Sequence, residues 1–308
     1  MAIIGLEYGR AIALFSSQPM SSDNLRSRTA ANTIKVVGVM ALLKGAAYLF
    51  THSSGVLGSA ADSLVDIATT ILVLWAVLQA ERPADAGHPW GHGKAEGLAA
   101  LLQSLFIGLT GCGLIFETIR RALDPAATVQ NHWLGIVVMA VCSLATLAWA
   151  RHVGKVAIET GSLALDADRR HHLTDVLVNV TAMVGLIMSN LLDQVKWPDV
   201  VVGLGIALVI LNTARIVFLD GIGNLMDQGL KPAEEAAVLK SAAKFAPRVA
   251  GFHDLRTRRS GSDLFLELHL DLPRGLSFVE AHDLSEEVAT SIERAIPRSR
   301  VTIHADPL

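Results

Sequence analysis

Long apolar runs fill the first two thirds of the chain and set the strongest limit on its fold. A helix that crosses the hydrocarbon core of a membrane needs about 20 mostly apolar residues. Charged residues make up only 18% of the sequence, whereas about 25% is usual for soluble domains. The apolar runs cover residues 31–51, 57–80, 98–121, 133–150, 171–192 and 199–219. We therefore predict an α-helical membrane protein with a bundle of six transmembrane helices.

The character of the sequence changes near residue 231. PAEEAAVLKSAAKFA has helical periodicity and begins with Pro232, and SFVEAHDLSEEVATSIERAI predicts a second amphipathic helix. DLFLELHLDL alternates leucines with polar residues, which predicts a strand with one buried face. Two further strands are expected at 251–261 and 300–305. The order αββαβ predicts a small α+β domain with its helices on one face of a three-stranded sheet.

Basic residues in the predicted loops give the orientation, because cytoplasmic loops carry an excess of lysine and arginine. The basic residues that mark one side are Arg26, Arg28, Arg82, Lys94, Arg151 and Lys155. Both termini are therefore expected in the cytoplasm. The predicted divisions are an N-terminal cytoplasmic or interfacial segment at 1–28, a transmembrane domain at 29–222 and a cytoplasmic domain at 223–308.

Two predicted membrane helices carry ionisable residues, which are costly in hydrocarbon and usually mark a pathway. Asp62 and Asp66 are four residues apart, as are His171 and Asp175, so each pair shares one helical face. Two carboxylates one turn apart repel each other in a low dielectric, and a cation between them removes that cost. His172 points about 100° away from His171 on a helix, so we expect it behind the site or at an interface.

Three carboxylates and one imidazole predict a tetrahedral zinc site. Calcium requires more oxygen ligands, and magnesium requires octahedral geometry. Cadmium, ferrous iron, cobalt or manganese fit the same donors, because affinity alone separates these ions poorly. The alternative is that the aspartates only pair with basic residues such as Lys44 or Arg215.

A second group of candidate ligands lies in the loop ERPADAGHPWGHGKAEG. Asp85, His88 and His92 are close in sequence, and the intervening glycines and proline exclude a regular helix. A shaped loop of this kind can fold three ligands around one ion. The alternative is a solvated loop with incidental histidines.

The C-terminal quarter holds a third group of candidate ligands outside the predicted core positions. Asp306 lies two residues after His304, so both side chains share a face of an extended strand. The candidates are His253, His269, His282, His304 and Asp306. They could hold one or two metal ions, although surface histidines can also be incidental.

Several segments resemble the cation diffusion facilitator family. The resemblance is carried by DSLVD, RPADAGHPWGHGKAE, ADRRHHLTDVLVN, GFHDLRTRRSG and the terminal IHADP, in that order along the chain. It is closest to the bacterial zinc and ferrous-iron efflux branch of the YiiP type. The resemblance implies a homodimer, six transmembrane helices and a cytoplasmic domain of metallochaperone-like, ferredoxin-like fold.

The resemblance also implies roles for the three ligand groups. It implies a transport site at the membrane group, a metal site in the loop and a binuclear site in the tail. It further implies a charge interlock between Lys94 and Asp227 that locks the dimer. Arg169 and Arg170 depart from the branch, which usually has apolar residues before the histidine, and their charge is expected to affect cation access or gating.

These features predict a secondary active transporter, not an enzyme, in a bacterial inner membrane. We expect metal:proton antiport out of the cytoplasm, with Zn2+ as the ion and Cd2+, Fe2+ or Mn2+ as alternatives. Histidine, whose ordinary pKa is about 6.5, makes His171 the natural proton-carrying ligand. The expected partners are a second copy, membrane lipid and protons; no basic, aromatic face predicts nucleic-acid binding. A membrane-anchored metal sensor and a passive cation channel are the rival hypotheses.

Overall fold

A computed structural model describes residues 20–51, 54–123, 133–191 and 197–308. The chain divides into two compact units, Met1–Gly221 and Ile222–Leu308. The described residues from 20 to 225 form six long helices, and the last of them crosses the boundary between the two units. They are α1 (Met20–Thr51), α2 (Ser54–Ala80), α3 (Ala95–Leu123), α4 (Trp133–Thr160), α5 (Leu163–Leu191) and α6 (Trp197–Leu225).

The outer surface of these helices is apolar. Leu42, Phe116, Leu144 and Ile158 each expose at least two thirds of their surface, which suits contact with lipid. In the described residues, α2, α3 and α6 contain segments long and apolar enough to cross a membrane. α1 and α5 carry more polar residues, and several of these, such as Arg26 and His171, are buried.

Three helices extend farthest at one end beyond the apolar runs that predicted them. α1 begins at Met20 instead of residue 31, α4 continues to Thr160, and α5 begins at Leu163 instead of residue 171. Helical hydrogen bonds continue through polar residues, whereas the prediction followed apolar composition alone. His171 and Asp175 therefore lie well inside α5 instead of in its first turn.

A buried polar network holds the first turn of α5. The fully buried Glu96 carboxylate accepts hydrogen bonds from Arg26 Nη1 at 3.1 Å, Ser162 Oγ at 2.8 Å and the Ala164 amide at 3.3 Å. The Ser162 hydroxyl in turn accepts from the Leu165 amide at 3.3 Å, as an N-cap does. Residues from α1 and α3 therefore fix the start of the helix that carries His171.

The second unit has its own core. It contains α7 (Pro232–Ala243), β1 (Gly251–Ser260), β2 (Asp263–Leu272), α8 (Phe278–Ala295) and β3 (Ser299–Pro307). The sheet order is β1-β2-β3, with β1 antiparallel and β3 parallel to β2. The αββαβ order is as predicted. The β1–β2 turn contains Gly261 at a φ of 61°, a conformation that glycine adopts without strain.

The leucine face of β2 packs against both helices. Leu266, Leu268 and Leu270 are almost fully buried together with Val238 of α7 and Val288 of α8. The opposite face carries the polar residues of β2, so the ligand candidates stand on the face that the helices leave open. Val279, in the first turn of α8, is apolar but 64% exposed.

Candidate metal centres

The membrane group forms a cluster between α2 and α5. His171 Nε2 lies 3.3 Å from Asp66 Oδ1 and 3.9 Å from Asp175 Oδ2. One ligand atom from each residue lies within 4.8 Å of the others. His171 is buried, whereas both aspartates are partly accessible. This spacing allows one cation to bind all three side chains after small adjustments.

The fourth predicted ligand, Asp62, lies one turn before Asp66 on α2. Its side chain is outside the described residues, so its place in the site stays a prediction. The structure adds a polar neighbour that the sequence reading missed. Thr69 Oγ1 lies 3.4 Å from His171 Nε2 and donates a hydrogen bond to the Asp66 carbonyl at 3.0 Å.

His172 lies closer to the membrane cluster than the helical wheel suggested. Its ring is buried, and together with Asp66 and Asp175 it lines a small cavity between α1, α2, α4 and α5. His172 Nδ1 is 3.6 Å from Asp175 Oδ2, and its Nε2 is 3.6 Å from Asp168 Oδ2. Adjacent residues on a helix point about 100° apart. On α5 this rotation points the His172 ring toward α1 and α4 instead of toward lipid.

The two arginines that precede His171 share one carboxylate. Arg169 Nη1 and Arg170 Nε each lie 2.8 Å from an oxygen of Asp166. Asp166 lies one turn earlier on the same helix, where residues three and four apart are neighbours. Asp166 therefore balances one of the two added positive charges locally.

The loop group also comes together. His88 Nδ1 lies 3.3 Å from Asp85 Oδ1, and His92 Nε2 lies 3.5 Å from Asp85 Oδ2. The Asp85 carboxylate is held by the amides of His88 at 2.7 Å and Gly87 at 2.9 Å. The His88 amide is the main cause that lowers the pKa of Asp85. The loop therefore presents an ionised carboxylate between two imidazoles.

Four of the five tail candidates converge on the open face of the sheet. Asp306 Oδ2 lies 2.8 Å from His269 Nδ1 and 3.5 Å from His253 Nε2, and its Oδ1 lies 3.2 Å from His304 Nε2. The hydrogen bond with His269 is the main cause that lowers the pKa of Asp306. The register explains the cluster, because His269 pairs with both His253 and His304 across the sheet.

Asp271 belongs to the same surface and was missed in the sequence. Its Oδ1 lies 3.4 Å from His253 Nδ1, and it pairs in register with Asp306. Asp254, next to His253, also offers an oxygen near His253 and His269. The alternation of β2 could have suggested Asp271, since it shares a face with His269.

The fifth tail candidate, His282, is exposed on α8, where its ring stacks on Phe278 at 6.5 Å. Because α8 covers the leucine face of the sheet, His282 is not brought into the cluster of its own chain. Asp227 lies after α6 at a φ of 57°. It belongs to the second unit and Lys94 to the first, so their interlock stays a prediction.

Comparison with known proteins identifies the family. A family model described as the cation efflux transmembrane domain matches residues 33–226, and one described as the cytoplasmic domain of cation efflux proteins matches residues 230–308. The chain belongs to the cation diffusion facilitator family. It is a membrane cation-efflux transporter and not an enzyme.

Individual relatives in this family cover almost the whole chain. The cation-efflux pump FieF of Klebsiella pneumoniae is 35% identical over 289 residues, which are 93% of this chain and 94% of that protein. FieF of Salmonella schwarzengrund is 34% identical over 285 residues, 92% of this chain and 93% of that protein. A solved structure of the zinc transporter CzrB in its zinc form is 36% identical, covers 26% of this chain and 92% of that chain, and has a TM-score of 0.25.

Proposed function

We propose that this chain exports zinc from the cytoplasm across a bacterial inner membrane in exchange for protons. The observation that carries the proposal is the cluster of Asp66, His171 and Asp175 between α2 and α5. Ionisable groups at membrane depth are rare unless they serve a pathway or a partner. Cadmium, ferrous iron and manganese are the alternative ions.

The donor set favours zinc over harder cations. Zinc binds imidazole nitrogen and carboxylate oxygen in a tetrahedral arrangement, and transport sites need a ligand set that can also release the ion. Asp62 would supply the fourth ligand from the turn before Asp66. An all-oxygen set would favour magnesium or calcium instead.

Proton exchange follows from the chemistry of these ligands. Imidazole and carboxylate ligands bind metal only when they are deprotonated, so metal binding releases protons. Rocking of the bundle between inward-facing and outward-facing forms would let periplasmic protons displace the ion. The return of the protonated site to the cytoplasm would complete the cycle, with His171 as one proton carrier.

The loop and tail clusters support a regulatory role for cytoplasmic metal. Both lie outside the candidate spans, and both place ionised carboxylates among imidazoles. Metal bound there would favour transport only if it bound one conformation more tightly than the other. We place both termini in the cytoplasm and expect a homodimer, which the match to the cytoplasmic-domain family supports.

The decisive experiment is zinc flux in proteoliposomes with Asp175→Asn. This change keeps the shape of the side chain but removes its charge, so we expect zinc flux to fall to the level of protein-free vesicles. Asp283→Asn is the matched control, because Asp283 is exposed on α8 and should leave flux unchanged. Zinc flux that persists at the parent rate in Asp175→Asn would contradict the proposed site.

A pH-sensitive dye trapped in the same vesicles tests the coupling. An antiporter produces proton movement opposite to zinc and dependent on it, whereas a channel passes zinc without opposing proton flux. A membrane-anchored sensor would bind zinc and move neither. Zinc flux with no change in the dye signal would favour the channel.

A further inference from the structure

We propose that His172 is a second imidazole ligand of the ion at the membrane site and that buried Asp168 holds it in place. This inference rests on the proposed function of Asp66, His171 and Asp175 as a transport site. It changes the expected donor set from one imidazole to two.

The first argument is the position of the His172 ring. His172 Nδ1 lies 3.6 Å from Asp175 Oδ2, the same oxygen that lies 3.9 Å from His171 Nε2. The two ring centres are 5.9 Å apart. His172 also lines the small cavity with Asp66 and Asp175, and its Nδ1 is the ring nitrogen close to the Asp175 carboxylate.

The second argument is the support behind the ring. Histidines that bind metals almost always direct their other ring nitrogen at a carboxylate, carbonyl or water, which fixes the tautomer and the ring orientation. The other nitrogen of His172, Nε2, lies 3.6 Å from Oδ2 of the fully buried Asp168. Asp168 Oδ1 in turn lies 3.5 Å from the side-chain amide Nε2 of Gln103 on α3.

The third argument is the state of the buried polar atoms. Among the described residues, Asp168 Oδ2 and His172 Nε2 have no conventional hydrogen-bond partner. Burying such groups unpaired is costly, and a slight shift of the His172 ring would pair them with each other. An ion bound at Nδ1 would hold the ring in that orientation.

His171 provides the contrast. Within the described part of the chain, its Nδ1 is buried without a hydrogen-bond partner, so no carboxylate backs this ring on the side away from Asp66. Of the two adjacent histidines, His172 has the environment that usually supports a metal ligand. His171 has the shorter contact to an aspartate of α2.

X-ray absorption at the zinc edge can count the imidazoles on the bound ion directly. The full chain would carry alanine at the loop and tail ligands, so that zinc binds only at the membrane site. The positions to change are Asp85, His88, His92, His253, His269, His304 and Asp306. We expect two imidazoles per zinc in this protein. A count of one would overturn the proposal, and this measurement needs no substitution of His172.

Substitutions then assign the two rings. His172→Gln and His171→Gln should each reduce the count to one, and Asp168→Asn should leave it at two while raising the zinc Kd by about 10- to 100-fold. His152→Gln is the matched control, because His152 is exposed on α4 beside Trp149. A His172→Gln protein with unchanged count and Kd would overturn the inference.

Zinc binding to the full chain with alanine at the loop and tail ligands also distinguishes a failure of this inference from a failure of the proposed function. Asp175→Asn should abolish zinc binding in the membrane site if the proposed function is right. Loss of binding in Asp175→Asn together with no effect in His172→Gln would reject only the role of His172. Full binding in Asp175→Asn would reject the proposed transport site itself.

Discussion

Asp306 shows how a single residue organises the tail cluster. Its two oxygens contact the rings of His253, His269 and His304, and the hydrogen bond with His269 holds its pKa below the ordinary value. The carboxylate is therefore ionised at every pH near neutrality.

The pH dependence of zinc binding to the tail tests this assignment. Imidazoles must lose protons to bind metal, so we expect zinc affinity to fall as the pH drops below neutrality. Asp306→Asn should weaken zinc binding throughout this range, because the variant lacks the carboxylate that contacts all three rings. Calorimetric titration of the C-terminal unit with zinc from neutral to mildly acidic pH measures the affinities, with Asp283→Asn as the control. Equal zinc affinity in Asp306→Asn and the parent protein would contradict the assignment.

At the scale of elements, Arg26 links three helices through Glu96. Arg26 is 1% exposed, Glu96 is fully buried, and Glu96 also binds the N-terminus of α5. A buried ion pair need not stabilise a protein by itself, but removing one partner leaves an unpaired buried charge. The position of α5, and with it the membrane site, depends on this network.

Arg26→Ala should therefore destabilise the helical unit by about 3 kcal/mol or more. The matched control is Arg28→Ala, two residues along α1, where the side chain is exposed and the cost should be small. Thermal unfolding of the detergent-solubilised protein compares the two variants. Equal melting temperatures for both variants would show that the network contributes little.

The start of α7 depends on Glu234 in a similar way. Its carboxylate accepts hydrogen bonds from the Lys231 amide at 2.9 Å and from Arg259 of β1 at 2.7 Å. Burial opposes ionisation, but the contacts with Arg259 and Lys231 prevail and lower the pKa of Glu234. The helix is thereby joined to the edge of the sheet.

Glu234→Gln should cost the C-terminal unit about 1–2 kcal/mol at neutral pH. Because the folded pKa is lowered, the contribution is present above the ordinary pKa of 4.5 and is lost as pH falls through the folded value. The difference between parent and variant should therefore shrink in acid. Urea unfolding at neutral pH and in acid below the ordinary pKa measures this difference in unfolding free energy. A difference that grows in acid would contradict a lowered pKa of Glu234 in the folded protein.

At the scale of the whole molecule, the chain combines two units that are stabilised differently. The helical unit exposes apolar surface and keeps polar residues inside, whereas the C-terminal unit has a leucine core and an open polar sheet face. Each unit carries candidate metal ligands. The tail cluster brings together the predicted ligands except for His282, which lies on the covered side of its own sheet.

We expect His282 to contact metal bound to the tail cluster of a second copy of the chain. We predict that zinc strengthens dimerisation and that His282→Ala reduces this effect while the monomer still binds metal at Asp306. Sedimentation of the C-terminal unit with and without zinc gives the dissociation constants. Lys240→Ala is the control, because Lys240 is exposed on α7 and its loss should leave the zinc effect unchanged. Zinc-independent dimerisation in the parent protein would contradict the prediction.

The sequence by itself determined the local patterns. Apolar runs predicted the six helices, leucine alternation predicted β2, and spacing by four predicted that His171 and Asp175 share a face of one helix. These inferences succeed because helical and strand periodicities depend on neighbouring residues alone. The same rule accounts for Asp166 beside Arg169 and Arg170, although that pairing was not anticipated.

Only the tertiary structure decided which faces meet. It turned His172 toward Asp168 and the cavity, brought Glu96 to the start of α5, and separated His282 from the other tail histidines. The rotation of one helix against another depends on packing between residues distant in sequence, and a helical wheel contains no such information. The residue types of the membrane cluster are therefore encoded locally, but which of its side chains meet is set by how α5 packs against its neighbours.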